Sequence, residues 1–342
     1  MQKCNINTNI NYFQEKIYSK KNYYKVLLTP FEDIYQYFID ENKAIDYLFQ
    51  INILYKLEKC DHCNNKMAYY KNLKYFKCLN YKCRRCISIF KNTIFYKSNL
   101  PICKILHILY EFLKKSPQNT VAVSLKVTPV TISYYYNLFR KLIVDDTLNN
   151  IKNDILGGKG KEVEVDESLF NKRKYNKGKY KANGVWVLGG VERNTKKVFT
   201  IPVEKRDKET LLKNIKKYIK PQTKIITDCW KGYIDLKHNG YQHETVNHKK
   251  YFKDPITKAC TNMIEGTWNG FKLSIKPQYR TKRFLYNHLL ECQWRKKYYN
   301  YDIWEEIIKV IKIKSINLSQ KYQVINKDSL FNKLDFTCTI LI

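Results

Sequence analysis

The chain has 342 residues, 44% of them hydrophobic, and carries 63 Lys and Arg against 31 Asp and Glu, a formal net charge of +32. That length and apolar content exclude global disorder and suffice for two or three domains. The longest apolar run, Ile102 to Leu113, is broken by Lys104, His107 and Glu111 and falls short of the ~20 residues of a membrane helix, so no membrane partner is expected.

The opening Met1-Gln-Lys-Cys-Asn-Ile-Asn lacks the apolar segment of a secretory signal. An intracellular protein is expected, nuclear if its host is eukaryotic, and its 11 cysteines read as thiols or metal ligands rather than a disulfide framework. A bias toward AT-rich codons explains part of the lysine excess but not the scarcity of acids. The remaining charge, spread along the whole chain, points to a polyanion such as nucleic acid, bound with salt-sensitive affinity.

Residues 1–55 read as a polar segment followed by one helix, 41–49, which Asp40 can cap. Residues 56–98 hold the cysteine cluster. Cys60-Asp-His-Cys63 and Cys78-Leu-Asn-Tyr-Lys-Cys83 are two pairs separated by fourteen residues, the spacing of two zinc-ribbon knuckles around a hairpin. Cys83-Arg-Arg-Cys86 is a rival second knuckle, so the fourth ligand is Cys83 or Cys86, with His62 also within reach. Residues 99–152 read as helical, with a helix from Pro101 to about Lys114, another over 116–126, a turn at Val127-Thr128 and a third helix over 129–142. The last two resemble a helix-turn-helix, which would bring Thr131, Ser133, Tyr134, Asn137 and Arg140 near DNA. The ordinary alternative is two packed helices, with Tyr134-Tyr-Tyr136 in a core.

A glycine-containing linker over 153–160 opens the segment 153–300. Strands are expected at 161–166, 185–191, 198–203 and 224–227, with a weaker one at 244–246. Helices are expected at 208–218, 262–271 and 283–298, and another over 303–311 in the C-terminal segment 301–342. Three strands, a helix, two strands and then helices suit an α/β, ribonuclease-H-like mixed sheet flanked by helices.

Three acids stand out in that frame. Asp166 lies in Glu162-Val-Glu-Val-Asp-Glu167, which alternates like a strand. Asp228 ends Lys224-Ile-Ile-Thr-Asp228, 62 positions later, and Glu265 follows after another 37 in a helical segment. Two carboxylates on strands and one on a helix can converge on a pair of hard divalent cations. Lys272, two turns beyond Glu265, faces the same way and can grip a phosphate. Each has an ordinary alternative. Glu164 and Glu167 could be solvated strand-edge charges, and so could Asp166. Asp228 could cap a helix, Glu265 could be an exposed helical acid, and Asn262 competes for the third position. His248 reads equally as phosphate-binding or structural, and Trp268 as core packing before base stacking.

These residues resemble the DDE transposases of the Merlin superfamily and their ISXO-type insertion-sequence relatives. The resemblance runs from about Ile34 to Ile311, through the ribbon and Ser88-Ile-Phe-Lys-Asn-Thr-Ile-Phe-Tyr-Lys-Ser-Asn-Leu100. It continues through Val163-Glu-Val-Asp-Glu-Ser168, Trp186-Val-Leu-Gly-Gly-Val-Glu-Arg193 and Ile226-Thr-Asp-Cys-Trp-Lys-Gly-Tyr233. Val246-Asn-His248, Thr261-Asn-Met-Ile-Glu-Gly-Thr-Trp268 and Leu290-Glu-Cys-Gln-Trp-Arg295 complete it. It implies a ribonuclease-H-like catalytic domain that performs cut-and-paste DNA transposition with two Mg²⁺ or Mn²⁺ ions held by Asp166, Asp228 and Glu265. It also implies structural Zn²⁺ on Cys60, Cys63, Cys78 and Cys83. The implied partners are double-stranded DNA, both transposon terminal inverted repeats and target, and further copies of the chain. Cys86 stands where the family more often has a basic residue, and Cys260 replaces its usual His. Two rival readings remain: a transposase-derived DNA-binding protein that no longer cuts, and a ribonuclease-H-type nuclease acting on RNA–DNA hybrids.

Overall fold

The computed structural model describes residues 27–171, 184–246 and 260–328. It begins with short helices α1 (Phe31–Ile34) and α2 (Gln36–Ile39) and the longer α3 (Glu41–Gln50). The Asp40 carboxylate accepts the N–H groups of Asn42 and Lys43 at 2.8 and 3.1 Å, satisfying two of the first-turn donors of α3 as its sequence position requires. Strands β1 (Met67–Tyr70), β2 (Tyr75–Cys78) and β3 (Cys86–Ser88) form an antiparallel sheet carrying the cysteine knuckles. Three helices follow, α4 (Ile102–Leu113), α5 (Gln118–Leu125) and α6 (Pro129–Asn149). Thr128 caps α6, with Pro129 in its first turn, and the helix runs seven residues past its expected end at Leu142.

Burial explains α4. Its apolar residues form one broad band that leaves only a narrow polar stripe of Lys104, His107 and Glu111, so most of the helix is sunk in a core. That core gathers Ile45, Leu48, Phe76, Phe95, Phe112, Ile132 and Phe139 from the N-terminal half. It also takes Trp294, Trp304, Ile307 and Ile311 from the far end of the chain. The last three belong to the final helix, α10 (Ile303–Asp328), where 304, 307, 308 and 311 recur on one face.

The second half is built on a five-stranded sheet of β5 (Glu162–Phe170), β6 (Val185–Glu192), β7 (Val198–Val203), β9 (Lys224–Asp228) and β10 (Gln242–Val246), in the order β10-β9-β5-β6-β7. Strands β5, β6 and β7 pair antiparallel, whereas β9 runs parallel to β5 and β10 parallel to β9. Three antiparallel strands followed by two parallel ones is the arrangement expected from the sequence. Helix α7 (Lys208–Tyr218) packs Leu211 and Ile215 on one face, against Val163, Val165 and Leu188. On the other face, α8 (Asn262–Ser274) and α9 (Leu285–Lys297) set Ile264, Trp268 and Leu289 against Phe170, Val185 and Val187. The interior strand β6 is buried on both faces, which is why it reads as a nearly unbroken apolar run.

Two expectations need correction. Strand β5 does not stop at Asp166 but continues to Phe170, because its ladder with β6 extends to the pair Phe170 and Val185. The supposed linker contains β4 (Leu156–Gly157), which pairs in parallel with β8 (Ile219–Lys220). Gly157 has φ +79°, and a Cβ there would lie 2.2 Å from the Thr223 hydroxyl, so both conformation and space call for glycine. Among the described residues no helix is long and apolar enough to cross a membrane.

Candidate active site

The first two acids meet through strand register. Parallel pairing of β5 with β9 ends at Glu164 opposite Ile226, and Asp166 and Asp228 each lie two residues further along. Residues two apart on a strand share a face, so both carboxylates project to the same side of the sheet from neighbouring strands roughly 4.8 Å apart. Asp228 is still paired on its other side, with Val246 of β10, and its Oδ1 accepts the N–H of Trp230 at 3.0 Å.

Helix α8 crosses that face. Trp268, the residue expected in the core, is buried there, and its indole N–H donates to Asp166 Oδ2 at 3.0 Å. Gly189 makes the approach possible. It sits opposite Asp166 in the β5–β6 ladder, and a Cβ on it would come within 2.5 Å of the Trp268 ring. Burial pushes the Asp166 carboxyl up to about 6, and the neighbouring charges of Asp228 and Glu265 push the same way. Glu265 lies in the exposed first turn of α8 and accepts a hydrogen bond from the Thr261 hydroxyl at 3.1 Å. The three acids therefore share one field without forming a closed cage. Among the described residues, the group whose ligand atoms all lie within 4.8 Å of one another is a set of four cysteines. Carboxylate oxygens are nonetheless the hard donors that Mg²⁺ or Mn²⁺ takes.

Lys272 is half-buried, with its Nζ 5.7 Å from the centre of the Phe170 ring. Burial and Arg280 lower its pKa, with Asp166 acting in the opposite sense; Phe170 lies on the same face of β5 as Asp166. His248 lies outside the described residues.

Glu164 and Glu167 depart from the solvated reading. Glu164 is 1% exposed. Its Oε2 accepts the backbone N–H groups of Met263 and Ile264 at 2.8 and 3.0 Å, and its Oε1 accepts from Arg193 Nε at 2.8 Å. Glu167 accepts the Tyr233 hydroxyl at 2.6 Å, and burial raises its carboxyl to about 7, with Asp166 and Asp228 adding to the effect. Alternation puts Glu162, Glu164 and Asp166 on one face of β5, and it is α8, laid over that face, that takes Glu164 out of solvent. Arg193, absent from the expected site, donates to Glu162 at 2.7 Å and to the carbonyl of Cys260 at 2.7 Å. On the α7 side of the sheet, the Arg206 guanidinium stacks 3.7 Å from the Trp186 ring centre and 5.2 Å from that of Trp230.

The helical segment divides its expected DNA contacts. Asn137 and Tyr134 are exposed, while Tyr135 and Tyr136 are buried. Arg140 turns inward: its Nε donates to Glu291 at 2.7 Å, and its side chain is 14% exposed. Arg295 shares the same carboxylate at 2.9 Å, and the two guanidiniums hold the buried Glu291 down to about 2. Arg140 thus joins α6 to α9, and its Nη1 donates to the exposed Asn137 at 3.0 Å.

The cysteine knuckles close on each other. Cys60, Cys63, Cys78 and Cys83 converge, with Sγ–Sγ distances of 3.8 Å for Cys60–Cys83 and 3.3 Å for Cys63–Cys78. Four converging thiols are the donor set of structural zinc. The rival Cys86 is exposed on β3, its Sγ directed to the Arg84 carbonyl at 3.6 Å. Arg84 takes a left-handed φ of 47°, which ends the knuckle at Cys83 and starts the strand. His62 Nδ1 lies 3.7 Å from Cys83 Sγ, beside the cluster.

Comparison with known proteins fits this arrangement. The ISXO2-like transposase domain matches residues 155–297. An uncharacterized transposase-like protein of Haemophilus influenzae is 30% identical over 100 residues, 29% of this chain and 80% of the relative. Among solved structures, the chain resembles the HTLV-2 integrase catalytic core domain in complex with magnesium (trimeric form), at 13% identity and TM-score 0.27, covering 40% of this chain and 84% of that one. It also resembles the Mos1 strand transfer complex, at 8% identity and TM-score 0.21, covering 57% and 76%. Likeness that distant says nothing about chemistry. The family match over the five-stranded sheet and its helices, together with the Haemophilus relative, identifies the chain as a member of the ISXO2-like transposase family.

Proposed function

We propose that the protein cuts DNA at transposon ends and joins the freed ends to target DNA, with Asp166, Asp228 and Glu265 as the acids that hold two Mg²⁺ or Mn²⁺ ions. One observation carries the reading. Asp166 and Asp228 stand at matching positions on adjacent parallel strands, and the helix bearing Glu265 crosses the same face. When bound, the cations would lower the pKa of the attacking hydroxyl and neutralise charge on the departing oxygen. The protein's own groups do the rest. Trp268 and the strand ladder hold Asp166, and Lys272 attracts a DNA phosphate beside the acids. The excess of positive charge binds the ends, with Asn137 and Tyr134 exposed on the helix that would lie against DNA. Zn²⁺ on the four cysteines keeps the ribbon folded. Holding two ends together calls for more than one copy of the chain.

The test uses duplex carrying a transposon end, incubated with the protein and Mg²⁺ or Mn²⁺. Asp228→Asn is expected to lower cleavage by about a thousandfold, ~4 kcal/mol of barrier, while end binding persists. Equal cleavage by the variant would overturn the reading. Cleavage of RNA–DNA hybrid in preference to duplex would instead favour a ribonuclease.

A further inference from the structure

The start of α8 is held by the sheet rather than by its own cap. Thr261, its capping residue, makes no side-chain capping bond, and its hydroxyl goes to Glu265 at 3.1 Å. The first-turn amides of Met263 and Ile264 are taken instead by Oε2 of Glu164, a carboxylate that reaches across from β5. Arg193 grips the same turn from the other side. It donates Nε to Glu164 Oε1 at 2.8 Å and Nη2 to the carbonyl of Cys260, immediately before the helix, at 2.7 Å. Its Nη1 returns to Glu162, which in turn pairs with Lys224 of β9 at 3.1 Å.

A buried charge is costly unless it is fully paired. Here the guanidinium and two amides pair it, and the positive end of the helix adds to the match. An ordinary Ser or Asp cap would satisfy the same amides without burying an ion pair. What such a cap would not do is tie the helix to one chosen strand. Glu164 lies two residues before Asp166 on β5, and the amides it holds belong to the two residues before Glu265. The link from the first acid to the third therefore passes through one strand, one carboxylate and one helical turn.

We propose that Glu164, locked by Arg193, is a positioning residue that sets the Glu265 carboxylate at its working distance from Asp166. The proposal rests on reading Asp166, Asp228 and Glu265 as the cation-holding acids. Glu164 touches neither cation nor DNA in this role. It acts by fixing the first turn of α8.

Glu164→Gln keeps the shape but presents an N–H₂ group either to the Arg193 guanidinium or to the helix amides, donor against donor. Glu164→Asp keeps the charge and shortens the reach. Three quantities are to be measured in the full chain: cleavage of end DNA as a function of Mg²⁺ concentration, hydrogen exchange at the Met263 and Ile264 amides without metal, and melting temperature. Glu164→Gln is expected to raise the Mg²⁺ needed for half-maximal cleavage by about 10- to 100-fold, the range for residues supporting a metal's ligands. Exchange at the two amides should accelerate while the β5–β6 ladder stays protected. Glu164→Asp should fall between the variant and the wild type, and it carries the test if the Gln protein does not fold.

Weaker cleavage with an unchanged Mg²⁺ requirement would make Glu164 a fold stabiliser only and overturn the proposal. So would wild-type cleavage, or unchanged exchange, in both variants. Asp228→Asn and Glu265→Gln run alongside. If either cleaves like the wild type, the reading of the acids fails and the positioning role falls with it. If both are inactive while the Glu164 variants behave normally, the positioning role alone fails.

Discussion

At the scale of residues, the site places two carboxylates, Asp166 and Glu167, where burial makes them hard to ionise. Asp166 is the clearest case. Its carboxyl ordinarily titrates at 3.8 but is raised to about 6 by burial, with Asp228 and Glu265 reinforcing the shift. The folded protein thus binds more protons than the unfolded chain between those values, so this residue's contribution to stability falls as pH rises through that window. The size of the effect is about 3 kcal/mol. Glu167, raised to about 7, extends the same trend upward. In protein stripped of metal, Asp166→Asn should therefore melt higher than the wild type above pH 6, with the gap closing toward pH 3.8. Added Mg²⁺ should raise the melting temperature of the wild type at neutral pH and leave the variant largely unmoved. Thermal melts across pH, with and without Mg²⁺, check this; parallel pH curves for the two proteins would disprove it. Asp166 itself was legible from the alternation of Glu162 to Glu167, but the roles of its neighbours were not. Alternation assigns a face, and it does not reveal that a helix 100 residues further on will cover that face.

At the scale of elements, the ribbon shows how spacing and local backbone divide the work. Two cysteine pairs flanking a hairpin were apparent from the sequence, yet the second pair had two possible closers. By spacing alone Cys83-Arg-Arg-Cys86 is the better-looking knuckle, although the pair Cys78 and Cys83 also suits a ribbon. The left-handed turn at Arg84 decides between them, because it leaves Cys83 inside the knuckle and commits Cys86 to the β2–β3 ladder opposite Lys77. Purified protein should hold about one zinc per ribbon. Cys83→Ser should lose the metal and loosen the ribbon, while Cys86→Ser should retain both metal and fold. Metal analysis after dialysis, with proteolysis of the 60–88 region, reads both outcomes. Zinc loss from the Cys86 variant and not from the Cys83 variant would reverse the assignment. The helices following the ribbon carry a similar lesson. Arg140 reads as a solvent-facing cation from its position in the third helix, but the buried Glu291 claims it.

At the scale of the whole molecule, the helices before the ribbon and the last described helix share one core. Trp304 of α10 is fully buried among Phe38, Tyr110 and their neighbours, and its indole N–H donates to the Tyr47 hydroxyl at 3.1 Å. The C-terminal helix is therefore part of the structure that carries the ribbon and α4, although the sequence separates them by the whole five-stranded sheet and its helices. Trp304→Ala should cost about 3–5 kcal/mol. The loss should appear in denaturant unfolding followed by a probe in α3 or α4, not only by one in α10. A variant that unfolds like the wild type at α4 would show that the ends are independent.

The sequence by itself determined the periodicities that make β5, β9 and α8, the composition that calls for a polyanion, and the cysteine pairs of the ribbon. These are local properties, set by residues within a few positions of each other. Only the tertiary structure decided that Glu164 serves α8, that Arg140 serves Glu291, and that α10 completes the first core. Each of those depends on a contact between residues more than ninety positions apart. Such pairings follow from how layers stack and which buried charge finds a partner, and no repeat or spacing along the chain records them.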